Sequence, residues 1–506
     1  MPGPTRREFL LAAAAVAASP WPAPGGAAGR SEELAALTLK GASELLRRRE
    51  LSAVELMEAY LNRVDAVNPV LNAFVAVARE SALDAARQLD AERRSGRVRG
   101  ALHGIPVAFK DNIDTAGIRT TGASALFKDR IPEEDAHVVA RLRNAGAIVL
   151  GKLNLHEFAL GGTNAVTSFG PVRNPWAIDH HPGGSSGGNA AAVAADLCAG
   201  TLGTDTGGSI RIPAAYCAVV GLKPTAGRVS NRGVIPNSWT FDTVGPMCKT
   251  VEDAAMMLAA IAGYDERDST SVNAPVADYI RALRARTSRL RVGIPRKPFY
   301  DNLEPDVATA VETALVELRR IAGEMREIEM PPSPGLGAVS NAEIYAFHAA
   351  WITKSPELYQ DATRRIVLGG ANARADSYIA GRQQVELARR QIARIFASVD
   401  VVVTPTTTGV ASLIPRQTAS PAPAPAVPPG GAPGGGGGAP GFRNTSYFSY
   451  YGLPAVSIPC GFTRAGLPIG LQISGGPFAE STVLALAHAY EQATEWHKRR
   501  PRLEAL

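Results

Sequence analysis

The sequence predicts an α/β fold, a layered domain built on a mixed, mostly parallel sheet, and three observations lead there. Seven short apolar runs, at 105–109, 147–150, 219–222, 290–294, 399–403, 455–458 and 469–473, are each bounded by turn residues and read as buried strands. Segments of helical period lie between them. The chain of 506 residues is 45% apolar and 20% charged, and its mean hydropathy is near zero, which excludes a disordered or membrane-spanning chain and leaves room for a large core. Strands that alternate with helices require a sheet covered by helices.

Taken in order, the first 29 residues stand apart. Thr5-Arg6-Arg7-Glu8-Phe9-Leu10 opens a charged segment and an apolar run continues to Ala18, the pattern of a twin-arginine export signal. That run is about ten residues, half of the roughly twenty that span a bilayer. The expectation is therefore removal of 1–29, a periplasmic or extracellular location, no stable membrane insertion afterwards, and a mature domain over 30–506. The net charge of +6 is modest, and lysine and arginine are scattered apart from Arg47-Arg48-Arg49 and Lys498-Arg499-Arg500, which argues against nucleic acid as a partner.

Ser52-Ala53-Val54-Glu55 is a capping box, followed by Val54, Met57, Leu61 and Val64 at helical spacing. After the strand at 105–109, a helix over 136–144 ends at Gly146 before the strand at 147–150. Further helices are expected at 190–196, at 251–262 with Thr250 and Asp253 at its start, at 307–321 and at 480–496. Residues 418–441 are almost wholly Ala, Pro and Gly, with five consecutive glycines at 434–438. Such a segment buries no apolar surface, and too few elements follow it to form a second domain, so it reads as a long surface loop. Cys198, Cys217, Cys248 and Cys460 lack CxxC spacing and histidine partners, so buried free thiols are expected and no metal site.

The chemistry concentrates in two clusters. Gly183-Gly184-Ser185-Ser186-Gly187-Gly188 precedes a small-residue helix, and Gly203-Thr204-Asp205-Thr206-Gly207-Gly208-Ser209-Ile210-Arg211-Ile212-Pro213 follows soon after. Glycines at such places let the backbone approach a ligand closely, and consecutive N–H groups then converge on an anion, as an oxyanion hole requires. Gly183-x-Ser185-x-Gly187 also matches the nucleophile elbow of α/β-hydrolases. That motif needs a downstream histidine, and His348 and His488 look like helix interior while His497 lies in a basic tail. The segment from Gly146 to Lys152 has phosphate-loop spacing, but its centre is a strand, and Leu153 stands where a hydroxyl should bind magnesium. With no histidine well placed, the candidate base is Lys110, which ends the run at 105–109 and precedes Asp111-Asn112. Burial disfavours the ammonium form, and a neutral amine can accept a proton.

These residues resemble the amidase signature family across nearly all of the mature length. The matching segments are His103-Gly104-Ile105-Pro106 with Lys110-Asp111-Asn112, then 146–154, 183–188 and 205–213. Gly221-Leu222-Lys223-Pro224-Thr225, Val244-Gly245-Pro246-Met247, Gly452-Leu453-Pro454 and Pro468-Ile469-Gly470-Leu471-Gln472 complete the series. The resemblance implies a single large α/β/α domain. It places the catalytic lysine on Lys110, a bridging serine held by a cis peptide on Ser185, and the nucleophile on Ser209. It puts the oxyanion hole on the N–H groups of Thr206, Gly207, Gly208 and Ser209, and gives Asp205 and Arg211 a loop-bracing role. The implied activity is hydrolysis of a small-molecule amide through an acyl-enzyme, with no cofactor and no metal. Oligomeric state stays open, a homodimer included. A rival is the glutaminase subunit of a tRNA-dependent amidotransferase, which shares the motifs but usually carries Gln where this chain has Ile212, and which an export signal would contradict. A third is a binding protein of the same fold without turnover.

Overall fold

The computed structural model describes residues 27–333, 335–415 and 441–503. The strands are β1 (Phe74–Val77), β2 (Pro106–Lys110), β3 (Ile148–Leu153), β4 (Gly200–Thr204), β5 (Val220–Lys223), β6 (Val244–Cys248), β7 (Arg291–Ile294), β8 (Glu324–Glu327), β9 (Val401–Pro405), β10 (Ala455–Phe462) and β11 (Pro468–Gly475). They form one eleven-stranded sheet in the order β1-β3-β2-β4-β6-β5-β10-β11-β9-β7-β8. All seven apolar runs lie in it. Four strands escaped the sequence pattern. β4 reads Gly-Thr-Leu-Gly-Thr, β6 contains Gly245 and Pro246, and β1 and β8 are four-residue edge strands, the latter largely charged.

The sheet is mixed, but the expectation of a mostly parallel one is corrected. Six of its ten pairings are antiparallel, including β4 with β6, β5 with β6 and β10 with both β5 and β11. The reason is local. β10 and β11 are joined by a short turn in which Gly466 takes φ +87° and Thr463 N donates to Leu467 O at 2.8 Å, and a turn of that length can only reverse the chain. The parallel run β3-β2-β4 is joined by helices, His137–Asn144 and Gly187–Ala194.

Helices cover both faces, and glycines show how closely. Along β4, a side chain at Gly200 would point at Leu39 and Met257, whereas one at Gly203 would point at Ser186 and Ile210 on the opposite face. On β11, a Cβ at Gly470 would lie 2.5 Å from Ala215 Cβ of the Arg211–Cys217 helix, which therefore sits directly on the sheet. The capping box holds, with Ser52 Oγ accepting from Glu55 N at 3.1 Å and Glu55 Oε2 accepting from Ser52 N at 2.9 Å. The helices expected near 136–144, 190–196, 251–262, 307–321 and 480–496 appear as His137–Asn144, Gly187–Ala194, Val251–Ile261, Pro305–Ile321 and Glu480–Ala493. The long helices Gly337–Lys354 and Ala375–Ile392 were not read from the sequence.

Cys198, Cys217, Cys248 and Cys460 are buried free thiols. The Pro/Gly-rich stretch, except Gly441, and residues 1–26 lie outside the described residues, and the helix Ala27–Ala36 begins before residue 30. β10 and β11, which follow that stretch, occupy the interior of the same sheet, so the chain forms a single α/β domain. No described helix is long and apolar enough to cross a membrane.

Gly470→Val should lower the denaturation free energy by about 1–3 kcal/mol, because the added methyls overpack the helix–sheet contact. Ala465→Val, in the exposed turn before Gly466, should change it by less than about 0.5 kcal/mol. Chemical denaturation midpoints compared at equal slope check both.

Candidate active site

Lys110 is the last residue of β2, fully buried, and Thr204 ends the neighbouring parallel strand β4. Both therefore emerge at strand C-termini, where α/β sheets form their sites. Lys110 Nζ lies 2.7 Å from Ser185 Oγ and donates to Thr204 Oγ1 at 2.7 Å, with the Thr204 carbonyl at 3.5 Å. Asn112 Nδ2 donates to the same Thr204 hydroxyl at 3.3 Å. Loss of water around the amine lowers Lys110 from the usual 10.5 to about 7, although the charges of Asp242 and Asp205 oppose the shift. A neutral lysine has two N–H groups, matching the two Thr204 oxygens, and a lone pair that Ser185 can use.

Ser185 follows a cis peptide bond with Gly184 and is wholly buried. Its carbonyl accepts from His156 N at 3.2 Å. The next residue joins the two serine clusters, because Ser186 N donates to Ser209 O at 3.1 Å and Ser186 Oγ donates to Thr204 O at 3.2 Å. The sequence clusters thus meet above the ends of β2 and β4. Ser209, 4% exposed, opens onto a chamber of about 590 Å³ that Thr206 and Gly207 also line.

Among the described residues the N–H groups of Thr206, Gly207, Gly208 and Ser209 have no hydrogen-bond partner, so four consecutive donors are available to an anion. Gly208 takes φ +142°, and a side chain there would collide with Thr445 Oγ1, so only glycine fits. The loop is held rigidly from below. Arg211 donates to both oxygens of Asp205, at 2.8 and 2.9 Å, and also to Thr445 O at 2.9 Å, Gln472 Oε1 at 2.8 Å and Ser449 Oγ at 2.8 Å. Burial by itself would raise the Asp205 carboxyl, but the Arg211 guanidinium outweighs it and holds the group below its ordinary value. Both side chains are completely buried.

Two further residues act on this loop. Thr204 lies inside a motif that the sequence marked, yet its hydroxyl is a partner of Lys110. Asp242 accepts from Thr206 Oγ1 at 2.6 Å, from Asn237 N at 2.8 Å and from Ser238 N at 3.0 Å, and burial raises it to about 6. Its position just before the Val244-Gly245-Pro246-Met247 segment was the available signal. No signal marked the chamber's apolar walls, Leu160, Leu336, Ile344, Ile366 and Phe442, which come from distant elements.

The rejected histidines stay outside this arrangement. His348 is buried in the Gly337–Lys354 helix, where its Nδ1 meets the Tyr359 hydroxyl at 3.1 Å, and His488 lies on Glu480–Ala493. His156 and His181 are nearer, but burial first, then neighbouring positive charge, lowers them to about 3 and 4. Each spends its Nδ1 accepting from a backbone N–H, of Asn164 at 3.2 Å and Gly183 at 3.0 Å. Lys152, the lysine of the false phosphate loop, is buried in β3 and donates to Thr120 Oγ1 at 2.9 Å and Thr115 Oγ1 at 3.1 Å.

Comparison with known proteins gives the same family from three directions. The Amidase family profile matches residues 55–484. A Glutamyl-tRNA(Gln) amidotransferase subunit from Moorella thermoacetica is 40% identical over 93% of this chain and 99% of its own length. The peptide amidase of Stenotrophomonas maltophilia superposes with a TM-score of 0.80 at 33% identity, over 93% of this chain and 99% of that one. The corresponding Glutamyl-tRNA(Gln) amidotransferase subunit from Thermotoga maritima superposes with a TM-score of 0.72 at 31% identity, over 91% and 96%.

These relatives overturn the expected export. Proteins named for a charged tRNA, a molecule made and used inside the cell, align with nearly the whole chain. An arginine pair followed by about ten apolar residues is a compositional sign alone, and the periplasmic or extracellular location inferred from it is withdrawn. With a family match over most of its length and amidase-fold neighbours, the chain belongs to the amidase family, the amidase signature enzymes that act on carbon–nitrogen bonds.

Proposed function

We propose that the chain cleaves carboxylic amides by acyl transfer to Ser209, with Ser185 and Lys110 as its proton relay. The observation that carries this is the fully buried Lys110 amine, lowered to about 7 and 2.7 Å from the Ser185 hydroxyl. Lys110 takes the proton of Ser185 as Ser185 takes that of Ser209, and Ser209 Oγ attacks the amide carbonyl. The tetrahedral oxyanion accepts from the N–H groups at 206–209, a donor set in which loss of one donor elsewhere costs about 10²- to 10³-fold. The C–N bond breaks as the proton returns through Ser185 to the leaving amine. Water then attacks the acyl-enzyme by the same relay and releases the acid.

Two identities for the amide follow from different observations. The curated relatives support glutamine, hydrolysed in an amidotransferase that passes the ammonia to a partner protein; 40% identity over nearly full length is the ground for it. The chamber supports a stand-alone amidase, because its lining includes Arg365 and, among the described residues, no carboxylate to pair with the ammonium of a free amino acid. Ammonia release from glutamine by the purified chain, alone and beside a panel of other amides, separates the two.

Ser209→Ala should abolish turnover and labelling by a fluorophosphonate probe, and Ser185→Ala should lower turnover by about 10²- to 10⁴-fold, the scale of a proton-transfer step. Full activity in Ser209→Ala would assign the nucleophile elsewhere.

The protonated form of Lys110 cannot accept a proton, so acylation should be slow below its ionisation, rise with pH through about 7 and level off above it, well below the usual 10.5. Lys110→Ala should remove that ionisation, and Lys110→Arg should not restore it because guanidinium stays charged. Single-turnover acylation measured against pH in the three proteins checks the sign; an active Lys110→Arg enzyme would identify another base.

A further inference from the structure

We infer that the acyl group taken by this enzyme is apolar and carries no ammonium group, and that Leu336 and Phe442 select it. The inference rests on the amide-hydrolase reading of Ser209 and goes further, to the substrate class. Gly207 lies in the middle of the candidate oxyanion loop and lines the chamber with Ser209. A Cβ on Gly207 would sit 3.4 Å from Leu336 Cδ1 and 3.5 Å from Phe442 Cδ1, so these two side chains pack beside the loop, in the same chamber that Ser209 lines. A substituent carried into the chamber beside Ser209 would therefore meet an aliphatic and an aromatic wall.

Phe442 is not free to leave. Its ring covers Gly162, where any side chain would collide with it, and it packs on the cluster of Ile212, Ala215, Tyr216 and Ala411. Beyond these two walls the chamber continues along Ile344 and Ile366. Its volume of about 590 Å³ admits an aryl-alkyl or branched chain rather than a short amide alone. Asn237, Ser340 and Asn341 can accept hydrogen bonds from neutral groups, but no Asp or Glu lines the space among the described residues. Arg365, its one charged side chain among the described residues, is exposed to solvent. An ammonium group carried into this chamber would lose water without gaining a counter-charge and would meet a cation at the rim, whereas an apolar chain gains by burial.

The test compares kcat/KM for 4-phenylbutanamide, glutamine and 4-carbamoylbutanoate, which is glutamine without its ammonium group, using enzyme whose Ser209 is titrated by a fluorophosphonate. 4-Phenylbutanamide should exceed glutamine by at least about a hundredfold, and 4-carbamoylbutanoate should also exceed glutamine. Phe442→Ala should lower the value for 4-phenylbutanamide by about ten- to a hundredfold, the scale of lost contacts in an apolar pocket, and so shrink its ratio to glutamine. Leu336→Ala should act in the same direction, which keeps the test intact if one variant folds poorly. Labelled enzyme that prefers glutamine, that turns over none of the three, or whose ratio is unmoved in both variants overturns the inference while leaving Ser209 as nucleophile. Enzyme that is neither labelled nor active on any amide instead removes the amide-hydrolase reading, and this inference with it.

Discussion

Placing a lysine where water cannot reach it is the constraint around which this molecule is arranged. In water the Lys110 amine would be protonated at neutral pH, and a protonated amine cannot act as a base. The surroundings supply what the solvent no longer does: two oxygens of Thr204 at the end of β4 for its N–H groups, and the hydroxyl of Ser185, in the loop before the Gly187–Ala194 helix, for its lone pair. Such a group is tolerable only when its hydrogen-bonding atoms are matched by surrounding structure. The wide sheet and the helices on both faces provide that enclosure.

The neighbouring loop presents the opposite problem, since in the proposed reaction its N–H groups must stay unpaired. A loop that offers four free donors is not held by its own backbone bonds and must be held by something else. The buried Asp205–Arg211 pair does this, reaching the carbonyl of Thr445, the side chain of Gln472 on β11 and Ser449. Asp242 takes the Thr206 hydroxyl from another side, and Glu343 ties the same segment to two outer helices through the Thr240 N–H at 3.1 Å and the Tyr378 hydroxyl at 2.9 Å. Buried ion pairs of this sort add little net stability. Here their use is geometric, because several bonds converge on one short segment.

Much of this was legible in the chain. Seven strands announced themselves as apolar runs between turn residues, and Gly-Ser clusters marked the backbone that must come close to a ligand. β4 did not announce itself, although it carries Thr204, because a strand of glycine and threonine has no apolar signature. A face that helices approach so closely demands small residues, as Gly203 against Ser186 and Ile210 illustrates. Strand direction was also misjudged, since alternation of elements reports layers and not the sense of each pairing. The arginine pair near the start suggested export, and similarity over the whole chain set it aside.

By itself the sequence marked the family, the candidate reactive residues and seven of the eleven strands, because these depend on local pattern and on motifs that are contiguous in the chain. Only the tertiary structure decided the burial that lowers Lys110, the pairing of Thr204 and Asp242 with the site, and the apolar chamber walls Leu336 and Phe442. Those properties arise from burial and from contacts between residues as far apart as Gly207 and Phe442, and no short window of sequence contains them.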